Sequence, residues 1–171
     1  MQFRDQLAHP VKYRAMNQST SHRGVQLSFD WPIRVYYEDT DAGGIVFFAN
    51  YLKFFERART EWLRACGIDQ RKLAEENGIV FVVSETAVQY RTPARLDDRL
   101  TISSRIERLG KASVEFVQEA WRGDTLLAAG TIRVGCVELA TLKPTALPGS
   151  VCDGLRRDPH SFREGVSTAN A

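Results

Sequence analysis

Apolar residues along this chain fall into one helical stripe set among several two-residue alternations. Tyr51, Phe55, Ala58, Trp62 and Ala65 recur at helical spacing, while Lys53, Glu56, Arg57, Arg59, Glu61 and Arg64 fill the opposite side, as in a helix with one face to bury. The pattern opens near Ala49 or Asn50, and Gly67 supplies its stop. Upstream, residues 25–37 read as a strand, with Pro32 marking a sheet edge or a bulge. Downstream, residues 69–77 predict a short second helix ended by Gly78, followed by a long β-prone run over 79–90. Leu100, Ile102 and Ile106 alternate with Thr101, Ser103, Arg105 and Glu107, as a half-buried strand requires. Gly110 and Lys111 turn the chain into a strand over 113–121. Arg122, Gly123 and Asp124 turn it again into a last strand over 126–139.

One long helix among five antiparallel-looking strands is an α+β pattern. The economical way to bury the helix's aromatic face is to curl the sheet around it. A sheet so curled leaves strand edges open, and pairing with a second copy is the natural way to close them. Pro144 and Pro148 mark the end of this unit, giving a domain over residues 25–148. Residues 1–24 are polar, lack an apolar signal-peptide core and read as a disordered arm. Residues 149–171 hold little that could be buried and read as a flexible tail.

A length of 171 residues fits one such domain with material left at both ends. The formal charge of +2 is uneven: residues 1–25 carry +3, residues 26–148 carry −1 and the remainder balances. The core therefore lacks the basic face that nucleic-acid binding needs. No run approaches the roughly 18 apolar residues of a membrane helix. Cys66, Cys136 and Cys152 are widely spaced, with no C-x-x-C pair, and support neither a disulfide scaffold nor a zinc site. Reduced thiols fit a cytoplasmic protein. His9, His22 and His160 all lie outside the domain, so a Ser-His-Asp or Cys-His centre cannot be assembled within it. Neither a G-x-S-x-G elbow nor a complete P-loop is present.

The chemistry concentrates where Tyr37-Glu38-Asp39-Thr40-Asp41-Ala42-Gly43-Gly44 leads into the long helix. The first amides of a helix lack intrahelical partners and can stabilise a carbonyl oxygen that gains negative charge. Gly43 and Gly44 have no Cβ to hold a ligand off the backbone. An Asp just upstream can stand on the other side of the same carbonyl, as a nucleophile or as a base toward water. Two other readings use the same letters. Asp39 or Asp41 can serve only as a turn residue bonded to local backbone. Asp39, Asp41 and Gly44 also match three positions of a calcium loop, but Gly43 stands where that loop usually has Asp or Asn, and Asn50 where it needs a bidentate Glu.

The stretch YYEDTDAGGIVFFANYLKFFERARTEWL, with PARLDD at residues 93–98, resembles the 4-hydroxybenzoyl-CoA thioesterase-like hotdog superfamily, and within it the Tol–Pal-associated acyl-CoA thioesterase branch. The similarity covers about residues 26–148. It implies a hotdog fold, a curled antiparallel sheet around one central helix, that hydrolyses acyl-CoA without a cofactor or metal; coenzyme A enters as part of the substrate. Asp41 corresponds to the catalytic carboxylate, and the Phe48 backbone N–H to the amide that holds the thioester carbonyl. Members of this branch often carry His where Phe48 stands, so any role of that imidazole is lost here. The resemblance also implies a homodimer or homotetramer with the site at the subunit boundary. Tyr37 and Tyr51 are expected along the acyl channel, with Gly43 and Gly44 allowing close approach. Arg108 and Lys111 are expected at the coenzyme A phosphates. The expected location is cytoplasmic or peripheral to the inner membrane, with acyl carrier protein as a further partner. The alternative within this family is a non-catalytic scaffold in envelope or phospholipid-synthesis assemblies. A dehydratase on the same fold would use His or paired acids, and the core has no His.

Overall fold

A computed structural model describes residues 28–157. Its central helix, α1 (Asn50–Ala65), buries Tyr51, Phe54, Phe55, Ala58 and Trp62. Phe54 widens the stripe that the sequence predicts, while Ala65 is only half-buried. The helix ends with Gly67 at φ +75°. The Gly67 N–H donates to Arg64 O at 2.9 Å and the Ile68 N–H to Leu63 O at 2.9 Å, a paired closure that satisfies the last carbonyls and requires a left-handed residue between. Helix α2 (Gln70–Asn77) follows at once. The Asp69 carboxylate accepts from the amides of Arg71 and Lys72 at its start, and Gly78 closes it.

Five antiparallel strands form one sheet: β1 (Ser28–Arg34), β2 (Ile79–Tyr90), β3 (Arg99–Leu109), β4 (Ser113–Arg122) and β5 (Thr125–Glu138), in the order β1-β3-β4-β5-β2. The sheet curls around α1, the α+β hotdog arrangement. Pro32 sits in β1, an edge strand, where its missing amide removes no ladder bond from a central strand. Strand β2 is the other edge and leaves Val82 and Val83 exposed at 38% and 52%. On β4, Val114, Phe116, Gln118 and Ala120 alternate inward, and Phe116 meets Trp62 edge-on with ring centroids 5.9 Å apart. Gly130 of β5 lets strand β2 and α1 come close: a Cβ there would lie 2.9 Å from Ala87 O and 3.4 Å from the Phe55 ring.

Two expectations need correction. The first strand leaves the sheet at Arg34 rather than continuing to residue 37, because the Asp39 carboxylate takes the Tyr36 amide and folds Tyr37–Asp39 into a single 3-10 turn. Residues 149–171 were expected to hold little to bury, yet α3 (Gly149–Leu155) buries Val151, Gly154 and Leu155. Gly154 makes this docking possible, since a Cβ would lie 3.0 Å from the Ile68 side chain. The folded unit therefore runs past Pro148 to at least Leu155. The arm of residues 1–24, the end of the tail, and His9, His22 and His160 lie outside the described residues.

Candidate active site

The approach to α1 is held from below by Asp39, which is 1% exposed. Its Oδ2 accepts from the Tyr36 amide at 2.9 Å, its Oδ1 from Asn50 Nδ2 at 3.4 Å, and its carbonyl from the Phe47 amide at 2.9 Å. Asn50 Nδ2 also reaches Glu38 O at 3.4 Å. One buried carboxylate thus ties the 3-10 turn to the first residue of the helix. Of the two aspartates in this segment, Asp39 is the internal anchor, and its burial leaves Asp41 as the aspartate available to a ligand.

Between Thr40 and Val46, which pair across an isolated bridge, the chain makes a tight hairpin. The Gly44 amide donates to Asp41 O at 3.0 Å and the Asp41 amide to Ile45 O at 2.9 Å. Gly44 adopts φ +69°, the left-handed bulge position of a three-residue hairpin loop. Asp41 is exposed, and its Oδ1 accepts from the Gly43 amide at 2.8 Å, a local bond of the kind turn aspartates make. That bond orients the carboxylate and leaves Oδ2 without a protein partner among the described residues. A Cβ on Gly43 would lie 3.1 Å from Asp41 Oδ1. The Gly-Gly pair therefore shapes the turn and clears space beside the carboxylate. No group of three or more metal-ligating side chains occurs among the described residues.

Beyond the hairpin, the Asn50 amide bonds back to Phe47 O at 2.8 Å and the Leu52 amide to Ala49 O at 3.1 Å. The Phe48 amide between them has no acceptor among the described residues. An unmatched donor at a helix entrance is the feature that polarises a carbonyl. Phe48 also lines a cavity of about 240 Å³, together with Ile45, Val46, Tyr51, Tyr90 and residues 91–93. Phe48 meets Tyr90 edge-on at 6.0 Å, and Tyr51 lies 5.6 Å from Tyr90. Tyr51 is buried, and its hydroxyl oxygen accepts the Ala94 amide at 3.1 Å. Burial pushes its pKa up, partly offset by that bond. The Val46 amide donates to Ala94 O at 2.9 Å, so the Pro93–Asp98 segment braces both sides of the cavity. Within that segment, Asp98 Oδ2 takes the Arg95 amide at 2.8 Å and Arg122 Nη1 at 2.6 Å.

Of the expected site residues, Phe48 and Tyr51 share this cavity, and Gly43 and Gly44 form the adjacent turn with Asp41. Tyr37 is 81% exposed on the 3-10 turn and lines no part of the cavity. Arg108 and Lys111 share a 230 Å³ cleft with Arg133 and Glu115 at the β3–β4 turn. Strand β3 runs from Arg99, beside the hairpin's support, to Leu109. The β3–β4 turn that carries the two cations is therefore at the other end of β3 from the Pro93–Asp98 segment that braces the cavity. Sequence reasoning missed Asn50, Tyr90 and the Ala94 backbone. A polar Asn opening an otherwise apolar helical stripe was the available signal for the first; the other two depend on contacts that only the fold creates.

The curled antiparallel sheet and the helix buried against it define a hotdog protein. The profile of the Thioesterase superfamily matches residues 43–129, and the chain belongs to that superfamily. It is 46% identical over 123 residues to the acyl-CoA thioesterase YbgC of Haemophilus influenzae, covering 72% of this chain and 90% of that one. It is 47% identical over 124 residues to the acyl-CoA thioester hydrolase YbgC of Escherichia coli, covering 72% and 92%. Among solved structures, a probable thioesterase from Bartonella henselae superposes with a TM-score of 0.68 at 36% identity, covering 71% of this chain and 99% of that one.

Proposed function

We propose that this protein hydrolyses acyl-CoA thioesters to coenzyme A and a carboxylic acid. The observation that carries the reading is the unmatched Phe48 amide on the same short segment that presents one free carboxylate oxygen of Asp41. The Phe48 N–H donates to the thioester carbonyl oxygen and gains strength as that oxygen becomes negative. Asp41 acts on the carbonyl carbon in one of two ways. It either adds through Oδ2, expelling coenzyme A thiolate and leaving a mixed anhydride for water to cleave, or it takes a proton from the water that attacks. Gly43 and Gly44 keep the approach open, and Tyr51 lines the acyl side. Tyr37, exposed beside the hairpin, is assigned to the part of the channel completed by a second subunit. No cofactor is required for either route.

Two features of the single chain support a dimer. Strand β2 presents an unpaired edge with exposed Val82 and Val83, a surface suited to pairing with its own copy. Arg108 and Lys111 lie at the far end of β3 from the segment that braces the cavity, a placement that favours their reaching the phosphates of a substrate held by a neighbouring subunit. A homodimer or homotetramer with the site at the boundary satisfies both. The three free thiols, Cys66, Cys136 and Cys152, support a cytoplasmic location, and no described helix is long and apolar enough to cross a membrane. Peripheral contact with the inner membrane and handling of acyl groups on acyl carrier protein are extensions of this reading. Thiol release by the purified protein across short aliphatic, aromatic and long-chain acyl-CoAs tests it. Turnover of at least one class is expected; absence of thiol release from all of them would instead favour a scaffold.

A further inference from the structure

The Pro93–Asp98 segment is tied to the approach to α1 at three places, and these bracket both groups assigned to the chemistry. Ahead of the hairpin, the Val35 amide donates to Asp98 O at 3.0 Å and the Asp97 amide to Val35 O at 3.1 Å. Behind it, the Val46 amide donates to Ala94 O at 2.9 Å. At the start of the helix, the Tyr51 hydroxyl oxygen accepts the Ala94 amide at 3.1 Å. Asp41 lies between the first tie and the second, and Phe48 between the second and the third. The placing of the carboxylate relative to the Phe48 amide is therefore set partly from outside their own segment.

That outside segment is itself closed by one carboxylate. Asp98 Oδ2 accepts the Arg95 amide at 2.8 Å, and the Asp98 amide donates to Arg95 O at 3.1 Å. Asp97 beside it adopts φ +64°, a left-handed conformation that is unfavourable for a residue with a Cβ and persists where the surroundings impose it. Arg122 Nη1 donates to the same Asp98 Oδ2 at 2.6 Å. Arg122 ends β4 and pairs with Thr125 across the turn into β5, so this guanidinium anchors the loop to the sheet. The two side chains are 37% and 22% exposed, and a charge-assisted bond that is partly buried is screened less than one on open surface. The pair also acts on Tyr51, whose pKa burial raises and the Ala94 bond lowers, with Arg122 lowering it further and Asp98 raising it. We propose that the Arg122–Asp98 pair is a positioning device for thioester hydrolysis. It fixes the Arg95–Asp98 turn, through which Val35, Ala94 and Tyr51 hold Asp41 and the Phe48 amide in register.

The inference rests on the hydrolase reading, and two readouts keep its failure distinct from that reading's. In turnover, Arg122→Met and Asp98→Ala are each expected to lower kcat by at least about tenfold while KM changes by less than about threefold, because a misplaced donor loses transition-state stabilisation without loosening the substrate. Arg122→Lys, which keeps the charge, should recover a large part of kcat. Arg71→Met, which breaks an ion pair on α2, should leave kcat unchanged. By NMR of the ligand-free protein, Arg122→Met is expected to shift the Phe48 and Val46 amide signals and leave those of α2 in place. Unfolding midpoints are recorded for every variant. The proposal is overturned by a kcat that stays at the unaltered level in both variants, by a kcat that falls only as the midpoint drops below the assay temperature, or by a Phe48 amide that does not move. An unaltered protein that releases no thiol, with a Phe48 amide that does move in Arg122→Met, would refute the hydrolase reading and leave the coupling between the pair and that amide standing.

Discussion

Asp39 and Asn50 meet inside the molecule, carboxylate Oδ1 to side-chain Nδ2 at 3.4 Å, with both residues at least 95% buried. The contact joins the 3-10 turn to the first residue of α1, and the Phe48 amide lies on the segment it spans. Replacing Asn50 by Asp would set two carboxylates against each other. Asn50→Asp should destabilise the fold by about 2–4 kcal/mol at neutral pH. Acidification should narrow that gap as one carboxyl gains a proton. Denaturant unfolding at neutral and mildly acidic pH measures both effects.

Gly43 and Gly44 should separate in their effects. Gly44→Ala forces a Cβ onto φ +69° and should cost about 1–2 kcal/mol of stability. Gly43→Ala has no such backbone strain but crowds Asp41 Oδ1 at 3.1 Å. It should therefore lower kcat with little change in the unfolding midpoint, which parallel melts and turnover assays would resolve.

Burial raises the pKa of both Tyr51 and Tyr90 above the ordinary 10.0. Raised acids hold protons in the folded state after the unfolded chain has released them. Their contribution is whole below pH 10.0 and is lost as pH climbs through the folded values. Tyr51→Phe should flatten the alkaline limb of the stability profile. It should also cost about 1–3 kcal/mol at neutral pH by leaving the Ala94 amide unpaired.

The edge of β2 offers a test of assembly. Val83→Lys places a charge on an exposed apolar position of an unpaired edge and should shift the protein toward monomer in sedimentation. If the second subunit completes the site, turnover should fall with the dimer fraction. A monomer that keeps full turnover would show that one chain suffices.

Most of the architecture was legible because its signals are periodic. The α1 stripe, the Asp69 start of α2, the glycine stops at Gly67 and Gly78 and the edge position of Pro32 all follow from local rules. Helix α3 was not, since two turns carrying Gly149 and Gly154 look like loop until Ile68 is there to receive them. In the site, the sequence placed two aspartates two residues apart; the family resemblance pointed to Asp41 as the catalytic one, but local chemistry alone gave no reason to prefer either as the anchor. Burial separates them, because Asp39 alone has Tyr36 and Asn50 to satisfy it. The placement of Arg108 at the far end of β3 was implicit in the length of that strand, but its meaning for a second subunit appears only once the strand order is known.

The measurement that bears most directly on the account is kcat for Asp41→Asn on an acyl-CoA that the unaltered protein hydrolyses, with the unfolding midpoint recorded beside it. Asn can still accept the Gly43 amide but is a poor nucleophile and base. The account predicts a loss of at least about a hundredfold in kcat with the fold intact. Turnover near that of the unaltered protein would contradict it and return Asp41 to the role of a turn residue.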